Sequence, residues 1–150
     1  MNKRILIFIA LCAMTLIAFA QECLKVDRFF NEPFISNKGV TYITATGEQL
    51  KSWNGQITAY RSVQVSGDDE LVGRIENAVK TDGTKADTRT VYMSDGHIAY
   101  GLYVLPPRKG INRYLVITTN VNKDTGRLAT NVFYIEGHVT PENFNKILQS

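Results

Sequence analysis

Cysteine, histidine and tryptophan are scarce in this chain. Its 150 residues include two cysteines, two histidines and one tryptophan. His97 and His138 have no cysteine or histidine partner at ligand spacing, so no metal site is expected. A nucleophile elbow of the form G-x-S-x-G is also missing, which removes the commonest serine-hydrolase signature. The glycines are scattered, and none falls in a G-x-x-x-x-G-K phosphate loop. Acidic residues cluster only at Asp68-Asp69-Glu70, where the start of a helix explains them better than paired acid–base chemistry. No organic cofactor or catalytic residue is therefore assigned.

Long apolar runs are absent with one exception, at the N-terminus. Lys3 and Arg4 precede the stretch Ile5–Ile17, which only Thr15 interrupts, and Ala18-Phe19-Ala20 places small residues where a signal peptidase reads. This three-part pattern predicts a cleavable export signal over residues 1–20. A spanning helix needs about 20 apolar residues, and this run stops short at Gln21-Glu22. Lipid attachment requires a small residue just before the cysteine. Leu11 precedes Cys12 and Glu22 precedes Cys23, so neither site qualifies and no stable membrane anchor is expected in the mature chain.

Cleavage after Ala20 leaves 130 residues, read as a single exported domain over residues 21–150 and large enough for a core without staples. The formal charge of +3 falls to +1 once Lys3 and Arg4 leave. A near-neutral domain lacks the clustered basic surface that nucleic acid demands. The expected partner is instead another protein or a small ligand. Cys23 alone remains, and one thiol cannot close an internal bridge. It is expected to be buried or idle, although pairing with another chain stays open.

What is present is a regular series of strands. The chain reads as a short helix over Leu24–Phe34, a strand VTYITAT after Gly39, a helical turn or two at GEQLKSWN, and a bulged strand over Gln56–Ser66. Leu71, Val72, Ile75 and Val79 then mark an amphipathic helix ending near Asp82-Gly83. Four strands follow: Thr88–Ser94, His97–Leu105, Arg113–Val121 and Leu128–Glu136. Asp95-Gly96 and the run Asn122–Gly126 make short turns, which imply antiparallel hairpins. Pro106-Pro107 is expected to stop the second of these strands. Thr140-Pro141-Glu142 opens a closing helix with Phe144, Ile147 and Leu148 on its apolar edge. The expected class is α+β: a largely antiparallel sheet of about five to six strands with helices packed on one face.

Alternation along the strands suggests which face is which. Ile98, Tyr100, Leu102 and Val104 share a register, and they are expected to meet Leu115, Ile117 and Val121 in the core. The opposite register holds His97, Ala99, Gly101, Tyr103, Tyr114, Val116 and Thr118. A face meant only for water would carry fewer apolar groups. Tyr103, Tyr114, Val116 and Tyr134 are therefore the candidate binding residues, although tyrosine also suits any strand simply because its ring packs and its hydroxyl reaches water. An enzyme would need His97 with Asp95, or His138, to converge in a cleft. Asp95 and His97 flank a turn and are better explained by turn chemistry. Arg108-Lys109 at a hairpin tip is read as a solvated turn.

The segment Tyr134–Leu148, YIEGHVTPENFNKIL, together with GVTYITA, a mid-chain helix and then hairpins, resembles small exported envelope proteins of Bacteroidetes classed as a domain of unknown function. Gly137, Pro141 and Glu142 carry that likeness. It implies an envelope location and transfers no catalytic residue. Some relatives of that kind are lipoproteins, and the missing lipid site here departs from them. The leading expectation is a non-enzymatic binding or interaction module in the periplasm or outside the cell. The alternatives are an enzyme of unrecognised type and an envelope-stress regulatory partner.

Overall fold

The computed structural model describes residues 23–30, 39–53 and 55–149. The expected signal segment, and the end of the helix expected over Leu24–Phe34, lie outside the described residues. Six strands form one antiparallel sheet: β1 (Val40–Thr46), β2 (Ile57–Ser66), β3 (Thr88–Ser94), β4 (His97–Arg108), β5 (Ile111–Val121) and β6 (Leu128–Gly137). Their order is β1-β2-β6-β5-β4-β3. Between β2 and β3 the chain runs through α1 (Asp69–Gly83), and α2 (Pro141–Gln149) follows β6. Strands β3 to β6 are a meander whose last strand returns to pair with β2. That closure holds the N-terminal hairpin and the meander in one sheet.

Local chemistry sets the elements. Asp68 caps α1, its carboxylate accepting the Leu71 N–H at 2.9 Å. Leu71, Val72, Ile75 and Val79 are all buried, as their spacing predicts. Asp95-Gly96 and Lys109-Gly110 both take positive φ, which gives two-residue turns matched to strand twist. Asn122 Oδ1 accepts the N–H groups of Asp124 and Thr125 and so folds the β5–β6 turn. Thr140 Oγ1 caps α2 at the Asn143 N–H. β2 carries the expected bulge, between Ile57 and Ala59.

One strand end and one helix type differ from expectation. Strand β4 does not stop at Pro106 but continues to Arg108, which pairs with Ile111 across a register shift. Proline fits extended backbone and loses only a donor, so a strand end that is already irregular accommodates it. The first helix is a 3-10 helix over Lys25–Phe30, pinned by Asp82, whose two carboxylate oxygens accept the Lys25 and Val26 N–H groups at 2.7 and 2.9 Å.

The sheet buries apolar groups on both faces. On one face, α1 and the 3-10 helix Lys25–Phe30 cover Val63, Val65, Leu115, Ile117 and Val132. On the other, Leu50, Ile57, Val139 and Phe144 cover Leu102, Tyr114, Val116 and Ile135. The helices therefore divide: α1 spans one face, whereas α2 and the 3-10 helix Gly47–Trp53 roof part of the other. The remainder of that second face stays open. The alternation expected for β4 breaks at Ala99. Tyr92 pairs with Tyr100 and Met93 with Ile98, which leaves Ala99 as a bulge. One extra residue reverses the faces, so Ile98 packs beneath α1 while Leu102 packs on the opposite side, beside the half-buried Tyr100 and Val104. Val121, expected in the core, is exposed at the end of β5.

Candidate functional site

The four residues expected to form a binding face are all buried. Tyr103, Tyr114, Val116 and Tyr134 are 3 %, 0 %, 3 % and 2 % exposed. Tyr103 and Tyr134 lie in the α1 core, and Tyr114 and Val116 in the core beneath α2. Tyr103 packs so closely on the end of α1 that a Cβ at Gly83 would fall 2.3 Å from its ring, which explains the glycine there. Tyr114 stacks on Phe144 at 4.1 Å between centroids and donates its hydroxyl to the Val139 carbonyl at 2.5 Å. Tyr134 donates to Glu136 at 2.7 Å, and the Arg61 guanidinium lies over its ring. Burial, followed by the Glu136 contact, pushes the Tyr134 phenol up to about 12. Burial also raises the Tyr103 and Tyr114 phenols. None of the four is placed to meet a ligand.

His97 does sit beside a carboxylate, although not that of Asp95. Its Nδ1 is 3.0 Å from Glu76 Oε2. Glu76, in the middle of α1, is 3 % exposed, and its Oε1 accepts the Ile98 N–H at 2.9 Å and the Thr119 hydroxyl at 3.0 Å. Thr119 in turn contacts Thr130 across the β5–β6 pair. The sequence spacing concealed this cluster, because Glu76 lies on a helix more than twenty residues before its partners. Its geometry is that of a clamp: a buried carboxylate whose neighbours occupy both oxygens ties α1 to the sheet. Asp95 contacts the Ser94 hydroxyl instead. His138, the other candidate acid–base residue, is exposed, and its backbone N–H donates to the Gln56 carbonyl.

The surface of the described residues carries two hollows. One, of about 650 Å³, lies at the start of α1 between Gly39, Gly67 and Arg127. Its polar groups are committed to structure. Asp68 caps the helix, Asp69 accepts the Leu128 N–H at 2.9 Å, and Arg127 donates to the Gly67 carbonyl at 2.7 Å. The other hollow, of about 270 Å³, lies on the open sheet face across β1, β2 and β6. Strand register sets its floor. Ile43, Ser62 and Phe133 make one transverse row, and Thr41, Gln64 and Asn131 make the next. Tyr60 stands beside Phe133, with ring centroids 6.1 Å apart. Tyr60 and Phe133 are half-buried, and Ile43 and Gln64 are exposed. No charged residue lines this hollow.

Aromatic residues therefore do face outward from the sheet, but they are Tyr60, Phe133, Tyr92 and Tyr100 rather than the four expected. Alternation in β2 and β6 places Tyr60 and Phe133 on this face, while Tyr92 and Tyr100 follow from the Ala99 bulge. Among the described residues, no three His, Cys, Asp or Glu side chains gather as a metal site, and no helix is long and apolar enough to cross a membrane.

A model of a family of unknown function (DUF6108) matches residues 13–148. The match agrees with the likeness to a domain of unknown function read from Tyr134–Leu148. No curated protein and no solved structure matches this chain.

Proposed function

We propose a function from the premise that the chain belongs to the family of unknown function DUF6108: it is an exported, non-enzymatic module that binds a saccharide on the open face of its sheet. One observation carries this reading. A row of neutral hydroxyl and amide groups runs beside a row containing Phe133 and flanked by Tyr60, over a hollow with no charge in its lining. Aromatic rings offer flat apolar platforms. Asn and Gln amides present a donor and an acceptor side by side, and Ser and Thr hydroxyls can act as either. A saccharide has the same mixture, with apolar C–H faces edged by hydroxyls, and carries no charge to be left unpaired. A nucleotide or an acidic lipid would meet no cation here.

The export signal at Lys3–Ala20 and the envelope location of the Bacteroidetes type belong to the same proposal. Mass analysis of the chain recovered from its host tests that part; export predicts loss of residues 1–20. For binding, a panel of neutral glycans is titrated against the chain and against Tyr60→Ala and Gln64→Ala. Both positions keep solvent access, so these variants are expected to fold. The reading predicts that a glycan binds the natural chain and that each variant loses most of that affinity. Binding of extended peptides with no glycan response, or glycan binding indifferent to both variants, would overturn it.

A further inference from the structure

Strand β3 is an edge of the sheet, and all seven of its residues are exposed. It carries three of the large exposed apolar side chains: Tyr92 at 64 %, Met93 at 53 % and Val91 at 37 %. An edge of this kind, with unpaired backbone groups and apolar side chains, is normally blunted by lysine, proline or cover. Between Thr88 and Ser94 the only charge is Arg89, and there is no proline. We propose that β3 pairs antiparallel with β3 of a second copy of this chain about a two-fold axis at Tyr92, joining two six-stranded sheets into one.

The pattern of the strand, together with Asp95 in the turn that directly follows it, selects the occupant and the register. With the axis at Tyr92, Arg89 faces Asp95 of the partner subunit and Asp95 faces Arg89 of the partner subunit. Thr90 meets Ser94 of the partner subunit, Val91 meets Met93 of the partner subunit, and the two Tyr92 rings meet at the axis. Every pair is matched: opposite charges, two hydroxyls, two apolar groups, two aromatics. A slip of the axis to Val91 places Asp87 opposite Asp95 of the partner subunit, two like charges, and sets Arg89 against methionine. Such penalties fix a register by disfavouring its neighbour. An isologous contact requires a patch complementary to itself, and β3 is one. The other edge, β1, holds no charged residue, so it has no charge pattern with which to choose a register. A formal net charge of only +3 on the whole chain offers little repulsion between copies. A seven-residue edge pair is smaller than the roughly 1,600 Å² of a standard interface, so the dimer is weak and depends on concentration.

Sedimentation velocity of the full chain over a wide concentration range tests this. The natural chain is expected to shift from monomer toward dimer as concentration rises. Arg89→Glu turns both symmetric charge pairs into like pairs and is expected to raise the dissociation constant about tenfold. Adding Asp95→Asn to that variant, a substitution the turn tolerates, removes the repulsion without restoring the attraction and is expected to recover part of the loss. Tyr92→Lys sets two ammonium groups together at the axis and is expected to abolish the dimer, while an unchanged thermal melt shows that the monomer still folds. A natural chain that stays monomeric at every concentration would overturn the proposal, as would a dimer untouched by Tyr92→Lys.

Discussion

Replacing Glu76 with alanine is expected to cost about 3 kcal/mol of folding stability, with the largest part traceable to a single backbone group. Glu76 Oε1 accepts the N–H of Ile98, a residue with no exposure, so no water replaces the lost acceptor. An orphaned buried N–H costs roughly 1–3 kcal/mol. Thr119 loses one partner but keeps its contact with Thr130, and His97, one-third exposed, can turn to water. Together these losses add roughly 1 kcal/mol. Glu76→Gln supplies the contrast. Its carbonyl still accepts from Ile98 and Thr119, and its amide donates to His97 Nδ1 in the tautomer that accepts there, so the cost is about 1 kcal/mol. Urea unfolding followed by circular dichroism reads both variants, provided the transition midpoints move without a change in slope. A cost below about 1 kcal/mol for Glu76→Ala, or equal costs for the two variants, would refute the clamp.

The remaining predictions concern the two cores. The Tyr134 phenol is ordinarily near 10 and is held at about 12 in the fold, so its contribution is fully present below pH 10 and is lost as pH rises through 12. Alkaline unfolding curves should therefore show the natural chain's advantage over Tyr134→Phe shrinking across that window; a constant gap would contradict the assignment. Phe144→Ala removes the ring stacked on Tyr114 and is expected to cost about 3–5 kcal/mol, the usual range for deleting a buried phenylalanine, and to loosen α2 in hydrogen exchange. Asp68→Ala removes the α1 cap and is expected to cost about 1 kcal/mol by urea unfolding, with no effect on binding at the open face.

The fold was legible where local rules dominate. Asp95-Gly96, the acidic helix start at Asp68-Asp69-Glu70, the spacing from Leu71 to Val79 and Thr140-Pro141 each act over a few residues, and each appears where the sequence places it. The faces of β4 were not legible, because the bulge at Ala99 leaves no sequence signature and one residue is enough to reverse the alternation. Burial on both faces of β5 was equally hidden. Leu115 and Ile117 point to α1, Tyr114 and Val116 point to α2, and nothing in a strand's composition tells which helix returns to cover it. The outward aromatics Tyr60 and Phe133 could have been found from alternation in β2 and β6 once the β2–β6 pairing was known. That pairing joins segments about seventy residues apart. Glu76 was missed for a related reason: a lone acid on the buried stripe of a helix signals a partner across the core, and only the packing of α1 reveals His97, Ile98 and Thr119.

Amide chemical-shift mapping during a glycan titration of the isotopically labelled chain bears most directly on the open face as the binding surface. The account predicts shifts confined to Thr41, Ile43, Tyr60, Ser62, Gln64, Asn131 and Phe133, with α1 and the Arg127 hollow unmoved. Shifts that centre on His97 and Glu76, or on the start of α1, would contradict it.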